Sequence, residues 1–95
     1  MKEYRIVATV ETEHGDGRKY KMENVHPWRD GRPFTHSPYK TKTDAKRVLV
    51  SLRKSCKEFD KMTHERFAQN PRDYIAYTQT NIRIQSREVT DWKDE

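Results

Sequence analysis

The sequence predicts an α+β domain in which an antiparallel sheet of three to four strands carries one amphipathic helix on one face, in the order β-β-(β)-α-β. Three observations favour this fold. Apolar and polar residues alternate near the N-terminus, glycines follow at hairpin positions, and a capped apolar pattern with helical period comes later. The 95 residues, 32% of them hydrophobic, form at most one small domain, 1–95, with a thin core. A homodimer is therefore a reasonable expectation.

Two strands joined by a hairpin are predicted at the N-terminus. Apolar residues alternate with polar ones over 3–11, with Val7 as the exception, and this period of two indicates a half-buried strand. Two glycines within 15–17 supply the positive φ angles of a tight hairpin. A second strand is expected from about residue 18, with Tyr20 and Met22 on one face.

Residues 25–40 are expected to form an ordered loop or an edge hairpin rich in proline and aromatic residues. The Asp30-Gly31 pair is a second hairpin signal, because both residue types tolerate the backbone angles of a tight turn. Three prolines in this stretch lack the N–H group that a central strand needs, so a central position in the sheet is disfavoured.

A helix is predicted from Thr41 to about Asp60. Thr41 and Asp44 have the spacing of a helix start, and Thr43 is an alternative cap. The apolar residues that follow fall within an arc about 100° wide, which indicates that the helix covers one sheet face. These residues are Ala45, Val48, Leu49, Leu52, Cys56 and Phe59.

Residues 61–80 are a connecting segment whose structure the sequence leaves open. Asn70 and Pro71 are typical of a helix start, whereas the residues from Tyr74 to Thr78 favour a strand, so 71–80 is either helix or strand. A final strand in the same sheet is expected from Asn81 to Trp92, where apolar and polar residues alternate at first and Val89 follows.

Positive charge concentrates on the predicted helix, because residues 41–66 contain eight basic and four acidic side chains. Six basic residues fall within an arc about 120° wide, opposite the apolar stripe. They are Lys46, Arg47, Arg53, Lys54, Lys57 and Lys61. Such a face attracts phosphates of nucleic acid or of a nucleotide through summed potential and counterion release. The competing interpretation is a solvated helix surface without a ligand.

The segment 25–40 supplies a second set of candidate residues. They are Trp28, Arg29, Arg32, Phe34 and Tyr39. Aromatic rings beside guanidinium groups stack nucleobases and pair with phosphates, but the same residue types also form hot spots for protein partners or complete a thin core. Because Trp28 lies between Pro27 and a turn, its indole is not expected to fold back over the helix.

Catalysis has little support in the sequence. Four scattered histidines and one cysteine lack the spacing of a metal site, and Cys56 lies on the apolar stripe, where a cysteine is usually a buried hydrophobe. We expect no enzyme, no cofactor and no metal. The chain has no apolar run long enough for a bilayer and no signal-peptide core, so a cytoplasmic protein without a membrane partner is expected.

Two resemblances bear on function. The run Tyr39-Lys40-Thr41-Lys42-Thr43-Asp44-Ala45-Lys46 resembles the strand-to-helix junction of the arm-binding domains of tyrosine recombinases, which implies DNA binding. The chain is also similar to small bacteriophage-encoded accessory proteins that combine a hairpin, a helix and a closing segment, here Ile84 to Trp92. This similarity implies a viral protein in the host cytoplasm, in some cases with an anti-defence role.

The leading expectation is therefore a small non-enzymatic, phage-type protein. It would bind nucleic acid or a nucleotide through the basic helix face and the aromatic and arginine-rich loop. The alternative is an inhibitor that docks on a host defence enzyme through the same loop. The two differ in how binding responds to salt, because phosphate contacts weaken steeply with ionic strength and a hydrophobic protein interface does not.

Overall fold

The computed structural model describes residues 2–36, 38–88 and 92–95. Its elements are β1 (Glu3–Glu13), β2 (Lys19–Val25), β3 (Trp28–Arg29), β4 (Arg32–Pro33), α1 (Lys42–Gln69), β5 (Ala76–Arg87) and β6 (Lys93–Asp94). The strands β2, β1, β5 and β6 form, in that order, a curled antiparallel sheet, and α1 packs on it mainly over β5. The predicted α+β fold is confirmed. Strands β3 and β4 form a separate ribbon.

Strand β1 lies in the interior of the sheet, bonded to β2 on one side and β5 on the other. Its middle, residues 6–10, is buried on both faces, which explains why Val7 breaks the predicted alternation. Ile6 pairs with Ile84 on the face that α1 covers, while Val7 pairs with Arg83 on the opposite face. The strand is therefore more buried than the half-buried strand that the sequence predicts.

A β-bulge interrupts each ladder beside the middle of β1. In β2 the bulge contains Asn24 with a φ of 56°, and in β5 it contains Asn81 with a φ of 51°. Asparagine tolerates this left-handed region better than most residues, which suits it to a bulge position that otherwise favours glycine. Bulges increase local twist, so the pair accounts for the curl of the sheet.

Both predicted hairpins are present. Asp30 and Gly31 have φ angles of 52° and 82°, the combination of a type I′ turn, and they connect β3 to β4. In the first hairpin Gly17 has a φ of 88°, but Gly15 has a different role from the one predicted. A Cβ atom at Gly15 would collide with the backbone carbonyl of Pro71, so close approach of the chain requires this glycine.

Helix α1 begins as predicted but ends nine residues later than predicted. The Thr41 hydroxyl accepts a hydrogen bond of 3.2 Å from the Asp44 N–H, which confirms the cap. The predicted end near Asp60 is wrong, because the buried stripe continues through Thr63 and the helix stops at Gln69, just before Pro71.

The segment 61–80 thus consists of the end of α1, a turn and the start of β5. The final strand begins at Ala76, five residues before the predicted start at Asn81, and ends at Arg87. The chain then returns as β6, a short strand that the sequence did not reveal. Val89, which was expected to lie in the final strand, falls outside the described residues.

The core lies between α1 and the sheet. Its fully buried members are Ile6, Ala45, Leu49, Leu52, Cys56 and Ile84. Half-buried residues pack around them: Tyr4, Phe34, Tyr39, Val48 and Ile82. The helical stripe predicted from the sequence is therefore the face that contacts the sheet.

The helical register predicts the cost of two matched truncations. Leu52→Ala should lower the free energy of unfolding by about 2–4 kcal/mol, because the side chain is 0% exposed. Val50→Ala should change it by less than about 0.5 kcal/mol, because Val50 is 73% exposed. Urea denaturation followed by circular dichroism measures both, and equal losses for the two variants would contradict this register.

The bulge in β5 predicts a conformational cost for a branched residue. Asn81→Val should destabilise the fold by about 1–2 kcal/mol because valine resists a positive φ, whereas Asn81→Gly should be close to neutral. Thr80→Val, at an exposed neighbouring position outside the positive-φ region, is the control. The bulge assignment fails if both valine variants have the stability of wild type in urea.

Candidate functional site

The basic face predicted on the helix is an exposed surface of α1. All six of its residues are exposed: Lys46, Arg47, Arg53, Lys54, Lys57 and Lys61. Among residues 2–36, 38–88 and 92–95, no carboxylate lies within 4.0 Å of a charged nitrogen of these six. At 1.5 Å per residue, the face extends over roughly 22 Å from Lys46 to Lys61. All six side chains therefore lie at the surface of α1, with the exposed Val50 among them.

Arg53 differs from the other five basic residues. Its Nε and Nη2 donate hydrogen bonds of 3.3 and 2.8 Å to the carbonyl oxygen of Ile82, beside the bulge of β5. A bulge disrupts the ladder locally and leaves backbone groups in need of partners, so Arg53 also connects α1 to the sheet. The remaining five cations have no such structural contact among the described residues.

Of the two acidic residues at the margins of the basic face, Glu58 is exposed and Asp60 is directed towards the sheet. Asp60 accepts hydrogen bonds from the backbone N–H of Gln79 at 2.7 Å and from its side-chain Nε2 at 2.9 Å. Burial raises the pKa of the Asp60 carboxyl above its ordinary value, and the hydrogen bonds from Gln79 oppose that shift. Asp60 therefore bonds to β5 rather than to the neighbouring lysines.

Gln79 also holds the backbone of Trp28. The Gln79 Nε2 donates to the Trp28 carbonyl at 2.7 Å, and the Trp28 N–H donates to Gln79 Oε1 at 2.5 Å. The half-buried indole stacks on Tyr77 with ring centroids 5.2 Å apart, and Tyr77 in turn contacts Phe59 of α1. Trp28 thus packs on β5 next to α1 and stays half-buried, which fits an indole that does not fold back over the helix.

The other predicted loop residues have mixed surroundings. Phe34 and Tyr39 pack against the core, and the Arg29 guanidinium lies 4.7 Å above the Phe34 ring. Tyr39 and Tyr4 exchange two backbone hydrogen bonds, of 2.8 and 2.7 Å. Tyr39 therefore pairs with the start of β1, which β2 does not reach. Arg32 is exposed on β4. Most of the aromatic segment therefore contributes to packing.

An open groove of about 500 Å³ lies between the β3–β4 ribbon, the last turns of α1 and the start of β5. Its apolar and aromatic lining consists of Trp28, Phe59, Met62, Tyr74, Ile75 and Tyr77. The helical residues of the groove lie about 180° around α1 from the basic face, since successive residues advance by about 100°. The structure does not bring the two predicted surfaces together into one site.

The face of the sheet opposite α1 carries three arginines that the sequence analysis did not single out. Arg87 pairs with Glu3 at 3.0 Å, Arg83 with Asp94 at 3.0 Å, and Arg5 donates to Gln85 at 2.7 and 3.0 Å. Arg5 and Arg87 also lie over the Trp92 ring, at 4.5 and 4.6 Å. The alternation in the last strand indicated a polar outer face. The side chains that pair with these arginines lie far from them in the sequence, so the sequence could not reveal the pairs.

Two further features bear on chemistry. Cys56 is fully buried, and burial raises the pKa of its thiol to about 11, which disfavours the nucleophilic thiolate. Within the described residues, no cluster of three or more His, Cys, Asp and Glu side chains is arranged to hold a metal ion. In the same part of the chain, no helix combines the length and the apolar surface needed to cross a bilayer.

Comparison of the chain with known proteins adds no relative to this description. No protein family, curated protein or solved structure matches it.

The hydrogen bonds between Asp60 and Gln79 predict a pH-dependent stability for Gln79→Glu. Two facing carboxylates repel each other, so their pKa values in the folded state rise above the unfolded values. A raised folded-state pKa means that stability is present at low pH and is lost as pH rises. We expect a deficit of about 2 kcal/mol at pH 7 that shrinks towards pH 4.

Gln79→Met is the control, because it loses the same side-chain hydrogen bonds without adding a charge. The Gln79 side-chain bond also opposes the raised pKa of Asp60, so the deficit of Gln79→Met relative to wild type should itself grow from pH 4 to pH 7, but by less than that of Gln79→Glu. An equal pH dependence for the two variants in urea denaturation would show that the two carboxyl groups of Gln79→Glu do not meet in the folded protein.

Proposed function

We propose that this protein is a non-enzymatic nucleic-acid-binding protein that contacts the phosphate backbone with the basic face of α1. One observation carries the proposal. Five exposed cations share one helix face, and no carboxylate of the described residues pairs with them. They are Lys46, Arg47, Lys54, Lys57 and Lys61.

The arginines on the sheet face opposite α1 differ from the cations on α1, and this difference favours α1 as the binding surface. There Glu3 and Asp94 pair with Arg87 and Arg83, so much of the positive charge is compensated within the protein. On α1 the five cations face solvent, no carboxylate of the described residues lies within 4.0 Å of them, and Glu58 is at the margin of the face. Solvent-facing cations release counterions from a polyanion, which is the main source of sequence-independent affinity.

The length of the face favours a polymer over a single nucleotide. The face is about 22 Å long, which is several times the size of one phosphate group, so its five cations can reach phosphates of several nucleotides in a polymer. One nucleotide would engage only a small part of the row. The exposed Val50 at the centre of the face has no hydrogen-bonding group for reading bases, so binding should tolerate many sequences.

The alternative function, a phage-type inhibitor that docks on a host defence enzyme, is favoured by one different observation. The groove beside Trp28 presents aromatic and apolar side chains in a concave surface of the size that binds ligands or partner side chains. The groove is also lined by Asp30, Arg66 and Asp73, but charges of both signs give a weaker dependence on salt than a row of cations on phosphates. Salt dependence therefore separates the two proposals.

The proposed function predicts that a triple substitution weakens binding without changing stability. Lys54→Gln, Lys57→Gln and Lys61→Gln together remove three free cations and leave Arg53 with its structural contact. Affinity for a fluorescent 20-mer duplex at low salt should fall at least tenfold, and the slope of log K against log salt should become shallower by about 2–3. Fluorescence anisotropy at several salt concentrations measures both quantities.

A charge-matched control tests whether location or net charge matters. Lys40→Gln, Arg72→Gln and Lys93→Gln remove the same charge from exposed positions outside α1, and this variant should keep most of the affinity and the wild-type slope. Equal losses in the two triple variants would contradict a specific role for the helix face. Absence of salt-dependent binding in wild type would remove the proposal altogether.

A further inference from the structure

Strand β2 leaves one edge of the main sheet unpaired. The strand order β2-β1-β5-β6 places β2 at a border with seven residues, whereas the opposite border strand, β6, has two. The first six residues of β2 are exposed on both of their faces, including Tyr20 at 47% and Met22 at 41%. Lysines and a bulge oppose indiscriminate pairing at such an edge, but its unpaired N–H and C=O groups can bond a strand whose charges match.

The protein is more elongated than a compact domain of 95 residues. Its radius of gyration is 14.7 Å, against about 12 Å expected for a compact domain of this length, and its extents are 47 × 23 × 17 Å. A hairpin with both faces of β2 exposed contributes to such an elongated shape. The β2 edge is therefore accessible along its length to a partner.

The backbone groups at this edge belong to alternate residues of β2. The His14 N–H donates to the Arg18 carbonyl at 2.9 Å, and alternation from that pair directs the groups of Tyr20 and Met22 towards β1. The N–H and C=O groups of Lys19, Lys21 and Glu23 consequently face the free edge.

The charges at this edge are self-complementary. In an antiparallel pair of two β2 strands centred on Met22, Lys21 of each copy lies opposite Glu23 of the other. Both residues have outward backbone groups, so each such pair can exchange two backbone hydrogen bonds. The two side chains are 60% and 68% exposed and have only each other, at 4.0 Å, as ion-pair partners among the described residues. Lys19 would lie level with the bulge at Asn24 of the other copy, without a charge partner.

The centre of this arrangement is apolar. The Met22 residues of the two copies would form a non-hydrogen-bonded pair, in which side chains approach most closely. Methionine adapts well to such contacts because its side chain is flexible and polarisable. A two-fold axis through this pair closes the assembly as a dimer and buries both free edges.

We infer that the protein forms a two-fold homodimer in which the β2 strands of two copies pair antiparallel, centred on Met22, with Lys21 opposite Glu23. The main sheets of the two copies become one continuous eight-stranded sheet. The proposed dimer interface lies on β2, away from the basic face of α1. A test of dimerisation is therefore separate from a test of nucleic-acid binding.

Charge reversal tests the pairing, using the full-length chain in sedimentation equilibrium between 5 and 500 μM at 150 mM NaCl. Lys21→Glu or Glu23→Lys alone places like charges opposite each other twice, and each should weaken dimerisation at least tenfold. The double variant Lys21→Glu, Glu23→Lys restores opposite charges and should return to within about threefold of wild type. Thermal melting checks that each variant is folded.

Lys19→Glu is the matched control, with the same charge change on the same strand, and it should dimerise like wild type. Three outcomes would overturn the inference. They are a wild-type protein that is monomeric throughout the range, a double variant no better than the single variants, and a Lys19→Glu variant as weak as Lys21→Glu. A dimer unaffected by every substitution would mean that another surface mediates association, which also contradicts this interface.

Discussion

The double-sided burial of β1 is the constraint on which the other elements depend. A strand that is buried over residues 6–10 needs cover on both faces as well as hydrogen-bond partners on both edges. Helix α1 covers one face with its apolar stripe. On the other face Val7 is 1% exposed and pairs with Arg83 in the register of β1 and β5. The asparagine bulges permit the curl of the sheet without breaking either ladder.

Polar side chains supplement a small apolar core. Gln79 joins Asp60 of α1 to the backbone of Trp28, and the Thr63 hydroxyl accepts from the Tyr77 N–H at 3.0 Å. Together with Arg53, these groups attach α1 and the β3–β4 ribbon to β5 through bonds to main-chain atoms. Main-chain atoms of a strand are fixed in position, so such contacts orient the helix more narrowly than apolar packing alone. The outward face of α1 is oriented by the same contacts.

The sequence revealed those features whose causes lie within a few residues of one another. The Thr41 cap, the Asp30-Gly31 turn and the periodicity of both helix faces are of this kind. The end of α1 was predicted too early because Thr63 is a polar residue and was not recognised as part of the buried stripe. Its burial depends on a hydrogen bond with the backbone of Tyr77, which the sequence does not show. Trp28 and Gln79 are 51 residues apart, so neither could signal the other. For the same reason the exposed row of lysines was predictable, whereas the structural contact of Arg53 was not.

Cys56 lies in the core beneath α1, so the reactivity of its thiol reports how often α1 separates from the sheet. With a pKa of about 11, roughly one thiol in ten thousand is ionised at pH 7, and the sulfur lies beneath α1 in the core. A thiol-specific reagent can react at an appreciable rate only when the helix lifts from the sheet. The labelling rate of this one residue thus measures how often the core opens under native conditions, without denaturant and without an engineered cysteine.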